Sequence, residues 1–278
     1  MLSRNAKRTN RILAIETSTE LLGVSVVDDT GMHFETTIVQ ARIHSEMLLP
    51  LCIQALETAG LAPESIDCLA VSSGPGSFTG LRIGSATVQG FALALKKPVA
   101  RVPTFEVYLR QCSAYENVGV VQGKARGQTV CALYTKVPST SGGPCGLPGF
   151  WSLYGFEQIV PVAAKSYEDF CENLRKVDSG PVWMTGDAAA DFCRVASDSG
   201  TCDVRLVDEY FRLPRPGIVG LIGLRMLREG DTVHPSLAIP EYYRRSQAEV
   251  VLAQKKARET SDEESFTGDN QQNDSQRS

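Results

Sequence analysis

Residues 72–84 read SSGPGSFTGLRIG and separate two apolar segments of different length. The segment before them, Leu69–Val71, is short, which predicts a buried strand. The segment after them, Ala86–Leu95, is longer and rich in alanine and leucine, which predicts a helix. Gly74 and Gly76 permit the left-handed backbone dihedrals that a tight turn can require. The local order is therefore strand, glycine-rich turn, helix.

Glycines recur at every fourth position along this turn and helix, at Gly76, Gly80 and Gly84. Each glycine inside a helix costs about 1 kcal/mol relative to alanine, which indicates that the bare backbone is used. Three uses remain open: packing of the helix against its own sheet, docking of a second helix, and binding of an anion at the helix N-terminus. Ser77 or Thr79 is expected to cap the helix. A P-loop is excluded, since no Gly-Lys-Ser/Thr sequence follows.

The chain before this stretch predicts a three-stranded meander followed by a helix. Residues 12–15, 22–27 and 33–39 are apolar or β-branched, and the Asp-Asp-Thr-Gly sequence before the third segment is typical of a hairpin turn. Residues 44–60 carry a helical apolar stripe, with Ser45 as the expected N-cap. Three strands before the first helix predict a mixed sheet covered on both faces. They argue against a Rossmann domain, in which a helix would follow the first strand.

The second half of the chain predicts another lobe, with strands at 118–121, 129–136 and 150–156. The predicted fold class is α/β: two lobes of the actin-like and ribonuclease-H-like (ASKHA) superfold, each a mixed sheet flanked by helices. The predicted division is a first lobe at 11–104, a second lobe at 105–250 with a helix near 218–228 that packs back on the first, and disordered segments at 1–10 and 252–278.

Composition is that of an ordinary folded protein with a mildly acidic balance. The chain has 278 residues, of which 42% are hydrophobic and 22% charged, and its net charge is −4. This balance argues against a surface that binds nucleic acid throughout. No apolar run reaches membrane-spanning length, and no secretory signal is recognisable. The eight cysteines contain no Cys-x-x-Cys pair, which predicts reduced thiols in the cytoplasm.

Three motifs together resemble one protein family. Residues 74–84 read GPGSFTGLRIG, residues 12–19 read ILAIETST, and residues 44–46 read HSE. The first motif resembles the signature of the TsaB (YeaZ) family, and the other two support it. The resemblance is strong in the first hundred residues and thin beyond them. This family belongs to the machinery that adds threonylcarbamoyl to adenosine 37 of ANN-decoding tRNAs.

The resemblance implies a non-catalytic subunit that scaffolds or activates a complex. Such a subunit docks on the catalytic TsaD-type paralogue through helices 44–60 and 77–95, and forms a homodimer when alone. It works with a TsaE-type ATPase and tRNA, and with no membrane. Weak binding of ATP or ADP at the partner interface is left open, and no other cofactor is implied. The implied contact residues are His44, Met47, Leu48, Leu51, Gly76, Phe78, Gly80, Arg82 and Gly84.

Glu16, Thr17 and Ser18 follow the first predicted strand, at the edge of the sheet where actin-like ATPases organise Mg²⁺ and phosphate. A phosphate-binding or metal-binding role and a merely solvent-facing or capping role both remain open for these residues. His44 has no second histidine one helical turn away, so no zinc-binding pair is predicted. No Ser/His/Asp or Cys/His set is recognisable, which favours a protein without catalytic residues of its own.

Three other functions compete with the docking subunit. A small-molecule kinase of the same superfold requires phosphate and adenosine turns, which the sequence does not show. A metallopeptidase requires a set of metal ligands, which is also missing. A homodimeric, nucleotide-binding regulator unrelated to tRNA requires only a self-complementary helix surface, so the sequence leaves it open.

Overall fold

The computed structural model describes residues 9–40, 42–125, 127–138, 154–175, 177, 180–198, 200 and 203–243. Apart from residues 9 and 10, the segments predicted to be disordered lie outside the described residues. Among the described residues, no helix combines the length and apolar content that crossing a bilayer requires.

The first sheet contains the predicted meander and two further parallel strands. Its strands are β1 (Arg11–Glu16), β2 (Leu21–Asp28), β3 (Gly31–Val39), β4 (Cys68–Gly74) and β5 (Val99–Pro103), in the order β3-β2-β1-β4-β5. β1, β2 and β3 pair antiparallel, whereas β4 runs parallel to both β1 and β5. The meander is therefore confirmed. The parallel pairs bring the carboxyl ends of β1, β4 and β5 to one edge of the sheet, where the glycine-rich turn begins.

Helices cover both faces of the first sheet. The helices on one face are α1 (His44–Thr58) and α2 (Phe78–Leu95), which contact each other and share a core with β1, β2 and β4. The other face is covered by α6 (Pro216–Glu229). Ser77 caps α2, as predicted, because its hydroxyl accepts a hydrogen bond from the backbone N–H of Gly80.

The predicted cap of α1 is wrong. This helix begins at His44, the cap position belongs to Ile43, and no side chain caps it. Ser45 lies one residue inside the helix and is exposed. It is therefore past the N-cap position, from which a hydroxyl can accept a hydrogen bond from a free N–H group of the first turn. At the other end, Gly60 follows the C-cap residue Ala59 and adopts φ +66°, the left-handed conformation that commonly follows the end of a helix.

The second sheet is also mixed. Its strands are β6 (Asn117–Ala125), β7 (Gln128–Pro138), β8 (Tyr154–Lys165), β9 (Val182–Thr185) and β10 (Val204–Leu206), in the order β10-β9-β6-β7-β8. The helices beside it are α3 (Thr104–Gln111), α4 (Tyr167–Leu174) and α5 (Ala189–Asp198). α4 and α5 share a core with one face, and α3 packs on the other. The structure thus contains two mixed sheets flanked by helices.

One predicted strand of the second sheet is longer than expected. The sequence predicted a strand at 150–156, of which residues 150–153 lie outside the described residues, and β8 runs from Tyr154 to Lys165. The described part of the strand thus continues nine residues beyond its predicted end and includes Pro161. β8 lies at the edge of the sheet, and an edge strand tolerates proline because one side of its backbone needs no partner.

Candidate functional site

Three of the four glycines of the signature, Gly76, Gly80 and Gly84, pack against the turn that follows β1. A Cβ atom added at Gly76 would lie 2.5 Å from the carbonyl oxygen of Ser18, one at Gly80 would overlap the carbonyl oxygen of Thr17, and one at Gly84 would overlap the Thr17 hydroxyl. The backbone N–H of Ser77 also donates to Ser18 O over 2.7 Å. Of the three uses that the spacing left open, packing inside the chain's own fold is the one observed.

Five of the predicted contact residues are buried in this fold and expose little surface to a partner. They are His44, Leu48, Leu51, Gly80 and Gly84. The reason is that the apolar stripe of α1 packs on the sheet beneath it, and the glycines of α2 allow the helix to approach the turn after β1 closely. The prediction that these residues form a contact surface is therefore corrected. Met47, Gly76 and Arg82 are exposed, and Phe78 is half-buried.

The exposed face of α2 carries a second small-residue stripe, offset from the signature glycines. Arg82, Ala86 and Gly90 are exposed at intervals of four residues, so they lie on one face of the helix. A Cβ added at Gly90 would meet nothing within 4 Å, in contrast to one at Gly84. The spacing of Ala86, Gly90 and Ala94 in the sequence is the signal that could have revealed this face.

Large apolar side chains are exposed on both helices. Leu49 and Ile53 on α1 are 51% and 47% exposed, and Leu93 on α2 is 54% exposed. Leu49 and Ile53 are four residues apart and therefore lie on one face of α1. We call the set Leu49, Ile53, Ala86, Gly90 and Leu93 the α1–α2 surface. Sequence reasoning missed all of its members, because it assigned contact to the more regular apolar stripe; Met47, which it did include, is two residues from Leu49 and lies on a different face of α1.

An arginine held by two aromatic rings lies one turn before Ala86 on the same face of α2. The guanidinium carbon of Arg82 lies 3.9 Å from the centre of the Phe78 ring and 5.9 Å from that of Tyr242. Its Nε donates a hydrogen bond to the hydroxyl of Tyr242 over 3.1 Å. The two rings are themselves 4.7 Å apart between centres. The side chain is therefore exposed and yet fixed in position.

Glu16 is fully buried, so of the roles left open for it a solvent-facing one is excluded. Its Oε1 accepts a hydrogen bond from the Ser18 N–H over 2.6 Å, and its Oε2 accepts one from the Ser72 hydroxyl. Burial raises the pKa of Glu16 to about 7, because loss of solvation outweighs these hydrogen bonds, which favour the charged form. The group is consequently divided between its neutral and charged forms near neutral pH.

The turn that follows Glu16 lies where both halves of the chain meet. Thr17 and Ser18 are buried, and their hydroxyl oxygens have no hydrogen-bond partner among the described residues. The side-chain amide of Gln122, from the second sheet, is within 3.5 Å of Ser18 O. Buried Tyr108 is close enough to Glu16 for the carboxylate charge to help raise the pKa of the phenol. The turn thus joins α2 to both sheets, and it has no open surface for a phosphate.

The described residues hold no group of three His, Cys, Asp or Glu side chains that could bind a metal ion. The unpartnered Nε2 of His44 is buried at the start of α1. The chemistry that the described residues do offer is recognition: an apolar α1–α2 surface with a fixed cation at one end.

Comparison with known proteins adds to this geometry. A family model described as "TsaD: tRNA N6-adenosine threonylcarbamoyltransferase" matches residues 35–141. The Escherichia coli K12 protein named "tRNA threonylcarbamoyladenosine biosynthesis protein TsaB" is 42% identical over 96 residues, or 34% of this chain and 40% of that protein. The Bacillus subtilis 168 protein of the same name is 25% identical over 239 residues, or 86% of this chain and 96% of that protein. The chain is thus similar to TsaB proteins over most of its length.

A solved structure agrees with this similarity at the level of the fold. YeaZ from Pseudomonas aeruginosa aligns with a TM-score of 0.63 and 22% identity, over 84% of this chain and 99% of YeaZ. The predicted fold class, two mixed sheets flanked by helices, is confirmed. The part of this chain that the TsaD model matches includes both α1 and α2, so the two helices that carry the exposed surface lie in the region of similarity to TsaD.

Proposed function

We propose that this protein is a non-catalytic subunit of the machinery that forms threonylcarbamoyladenosine at position 37 of tRNAs, and that it docks on a TsaD-type catalytic paralogue. The names of the E. coli and B. subtilis relatives assign those proteins to this biosynthesis. The observation that carries the docking proposal is the exposed α1–α2 surface.

The α1–α2 surface has the composition of a helix-docking face. Leu49, Ile53 and Leu93 expose apolar area that water solvates poorly, and exposed apolar patches on folded proteins commonly mark interaction sites. Ala86 and Gly90 keep the centre of the face free of long side chains, so a second helix can approach closely. Removing such apolar area from water is worth roughly 25 cal/mol per Å², which makes this face the natural place for a stable contact.

The TsaD-like region of the chain supports a paralogue as the partner. Residues 35–141 match the TsaD model and contain both helices of the surface. Two chains that present the same pair of helices can pair through a pseudo-twofold axis, as identical chains do in an isologous dimer. The same face would then serve a homodimer when the paralogue is absent.

The absence of a recognisable reaction centre among the described residues favours a non-catalytic role. Glu16 is sealed beneath α2, and no metal-ligand group accompanies it. We therefore assign the transfer reaction to the TsaD-type subunit, with a TsaE-type ATPase and tRNA joining the assembly. Because tRNA is a proposed component of the assembly, we also propose that the protein acts in the cytoplasm.

The test of docking is a pair of substitutions at Gly90. Gly90→Gln places a long, uncharged side chain in the middle of the α1–α2 surface, where the fold itself has open space. We expect it to weaken binding to the TsaD-type protein of the same genome at least about tenfold by isothermal titration calorimetry, equivalent to about 1.4 kcal/mol. Gly90→Ala, which adds only a methyl group, is the matched control and should bind within about threefold of the unsubstituted chain.

Light scattering on the mixture supplies the stoichiometry, and a one-to-one complex is expected. Unchanged affinity of Gly90→Gln, with the complex otherwise intact, would remove the α1–α2 surface from the interface. Failure of the unsubstituted chain to bind the TsaD-type protein would overturn the proposed function as a whole. The homodimeric regulator and the kinase would then be tested by nucleotide binding.

A further inference from the structure

Arg82 has no acidic partner among the described residues. Arg101, by comparison, is matched with Glu241 at 2.9 Å. The Nε of Arg82 is used by the Tyr242 hydroxyl, whereas its two terminal nitrogens form no ion pair or hydrogen bond with the described residues. A guanidinium offers a planar fork of N–H groups that matches a carboxylate.

The aromatic rings fix this cation in advance of binding. Stacking on Phe78 at 3.9 Å and the hydrogen bond to Tyr242 restrict the side-chain torsions of Arg82. An exposed arginine normally loses considerable rotamer freedom when it forms an ion pair, which is why surface ion pairs contribute little. Here much of that entropy is already lost in the free protein, so a contact made by Arg82 retains more of its interaction energy.

Arg82 is also continuous with the α1–α2 surface. It precedes Ala86 and Gly90 by one and two helical turns on the same exposed face. A partner helix lying on Ala86 and Gly90 would therefore pass Arg82 and reduce its exposure to water. Arginine and aromatic residues beside an apolar, water-excluding contact are the typical composition of an energetic hot spot.

We propose that Arg82 is the electrostatic anchor of this interface, and that it binds the carboxylate of an aspartate or glutamate on the docked subunit through paired hydrogen bonds. The proposal rests on the proposed function, since it assigns the chemistry of the partner at the same surface. A protein carboxylate is favoured over an RNA phosphate because Arg82 lies on the same exposed face of α2 as the small residues Ala86 and Gly90, which a helix of another protein can approach closely.

The first experiment measures the affinity of the TsaD-type protein for charge variants by titration calorimetry. Arg82→Glu should bind at least about 30-fold more weakly, the loss typical of breaking one buried, hydrogen-bonded charge pair. Arg82→Lys keeps the charge but not the planar fork, so its loss should be intermediate. The matched control is Arg194→Glu, a reversal at an exposed helical arginine of α5 whose ion pair is with Asp191, and it should bind within about twofold of the unsubstituted chain.

The second experiment identifies the carboxylate. Exposed aspartates and glutamates of the TsaD-type protein are changed to arginine one at a time and titrated against Arg82→Glu. One reversal should restore at least about tenfold of the lost affinity, because it recreates the pair with opposite signs. A loss of affinity that no reversal restores overturns the carboxylate assignment.

The remaining outcomes separate this inference from the proposed function. Equal affinities of Arg82→Glu and the unsubstituted chain overturn the anchor and leave docking intact. If Arg82→Glu leaves the protein–protein affinity unchanged but the assembled complex no longer retains tRNA, Arg82 binds an RNA phosphate. That result would also overturn the proposal that Arg82 anchors the protein interface. If the unsubstituted chain fails to bind the TsaD-type protein, the proposed function fails and the anchor fails with it.

Discussion

Glu16→Gln is predicted to stabilise the protein, and to do so only at neutral and alkaline pH. Burial raises the pKa of this carboxyl from 4.5 to about 7 in the folded state. Between these two values the folded chain holds a proton that the unfolded chain releases, so stability falls as the pH rises through this window. Below about pH 4.5 both states are neutral at this group and no penalty exists. Above about pH 7 the penalty is complete.

The magnitude follows from the size of the shift. About 2.5 pKa units at 1.36 kcal/mol each correspond to about 3 kcal/mol at pH 8, and the same linkage leaves less than about 1 kcal/mol at pH 5. Glutamine has the same shape and no charge at either pH. Its oxygen can accept the hydrogen bond from Ser18 N–H, and its amide can donate to the Ser72 hydroxyl, so the contacts of Glu16 are preserved.

The assay is urea unfolding at pH 5 and pH 8, with the free energy of unfolding extrapolated to water. Glu16→Gln should be more stable than the unsubstituted protein by about 3 kcal/mol at pH 8 and by less than about 1 kcal/mol at pH 5. The control is Glu57→Gln at an exposed position of α1, which should change stability by less than about 0.5 kcal/mol at both values. An equal effect of Glu16→Gln at the two pH values, or destabilisation at pH 8, would refute the assignment of a buried, desolvated carboxyl.

Two further substitutions test the packing. Gly84→Ala should lower the free energy of unfolding by about 1–3 kcal/mol, since its methyl group would overlap the Thr17 hydroxyl. Gly90→Ala should raise the free energy of unfolding by about 0.5–1 kcal/mol, because alanine has the higher helix propensity. Similar urea midpoints for the two variants would contradict the packing of α2. Glu35→Gln should lower stability by about 1.5–3 kcal/mol, because the Glu35 carboxylate accepts hydrogen bonds from the Arg215 guanidinium over 2.6 Å and from the first turn of α6. Amide hydrogen exchange should then be faster throughout α6. An increase in exchange confined to β3 would show that Glu35 does not hold α6 on the sheet.

The sequence was a good guide wherever a local rule decides the structure. The meander was predictable because a turn sequence, Asp-Asp-Thr-Gly, separates two β-branched segments. The cap of α2 was predictable because Ser77 directly precedes the helix. The length of β8 has the opposite origin. Whether a strand can continue through Pro161 depends on whether that strand lies at an edge, and edge position is a property of the assembled sheet.

The candidate site was predicted at the level of helices and missed at the level of faces. Leu48 and Leu51 form a regular apolar stripe, and a single sequence gives no means of telling a stripe that faces its own sheet from one that faces a partner. Burial answers this question, because both side chains lie in the core while Leu49 and Ile53 are exposed. The raised pKa of Glu16 was equally out of reach, since it depends on how completely α2 and both sheets exclude water from the turn.

The signature glycines and the proposed docking surface therefore occupy two different faces of one helix, and this makes them separable by mutation. The glycines at 80 and 84 face the turn at Thr17, so their substitution acts on folding. Gly90 faces open space, so we expect substitution there to leave the fold intact and to act on binding. The glycines of the signature would then report a packing requirement, while the residues proposed to contact the partner, Arg82 included, lie on the exposed face of the same helix. Two results would support this separation of packing and binding. Variants at 84 should lose affinity for the partner only in proportion to their loss of folded protein. Variants at 90 should lose affinity while they remain fully folded.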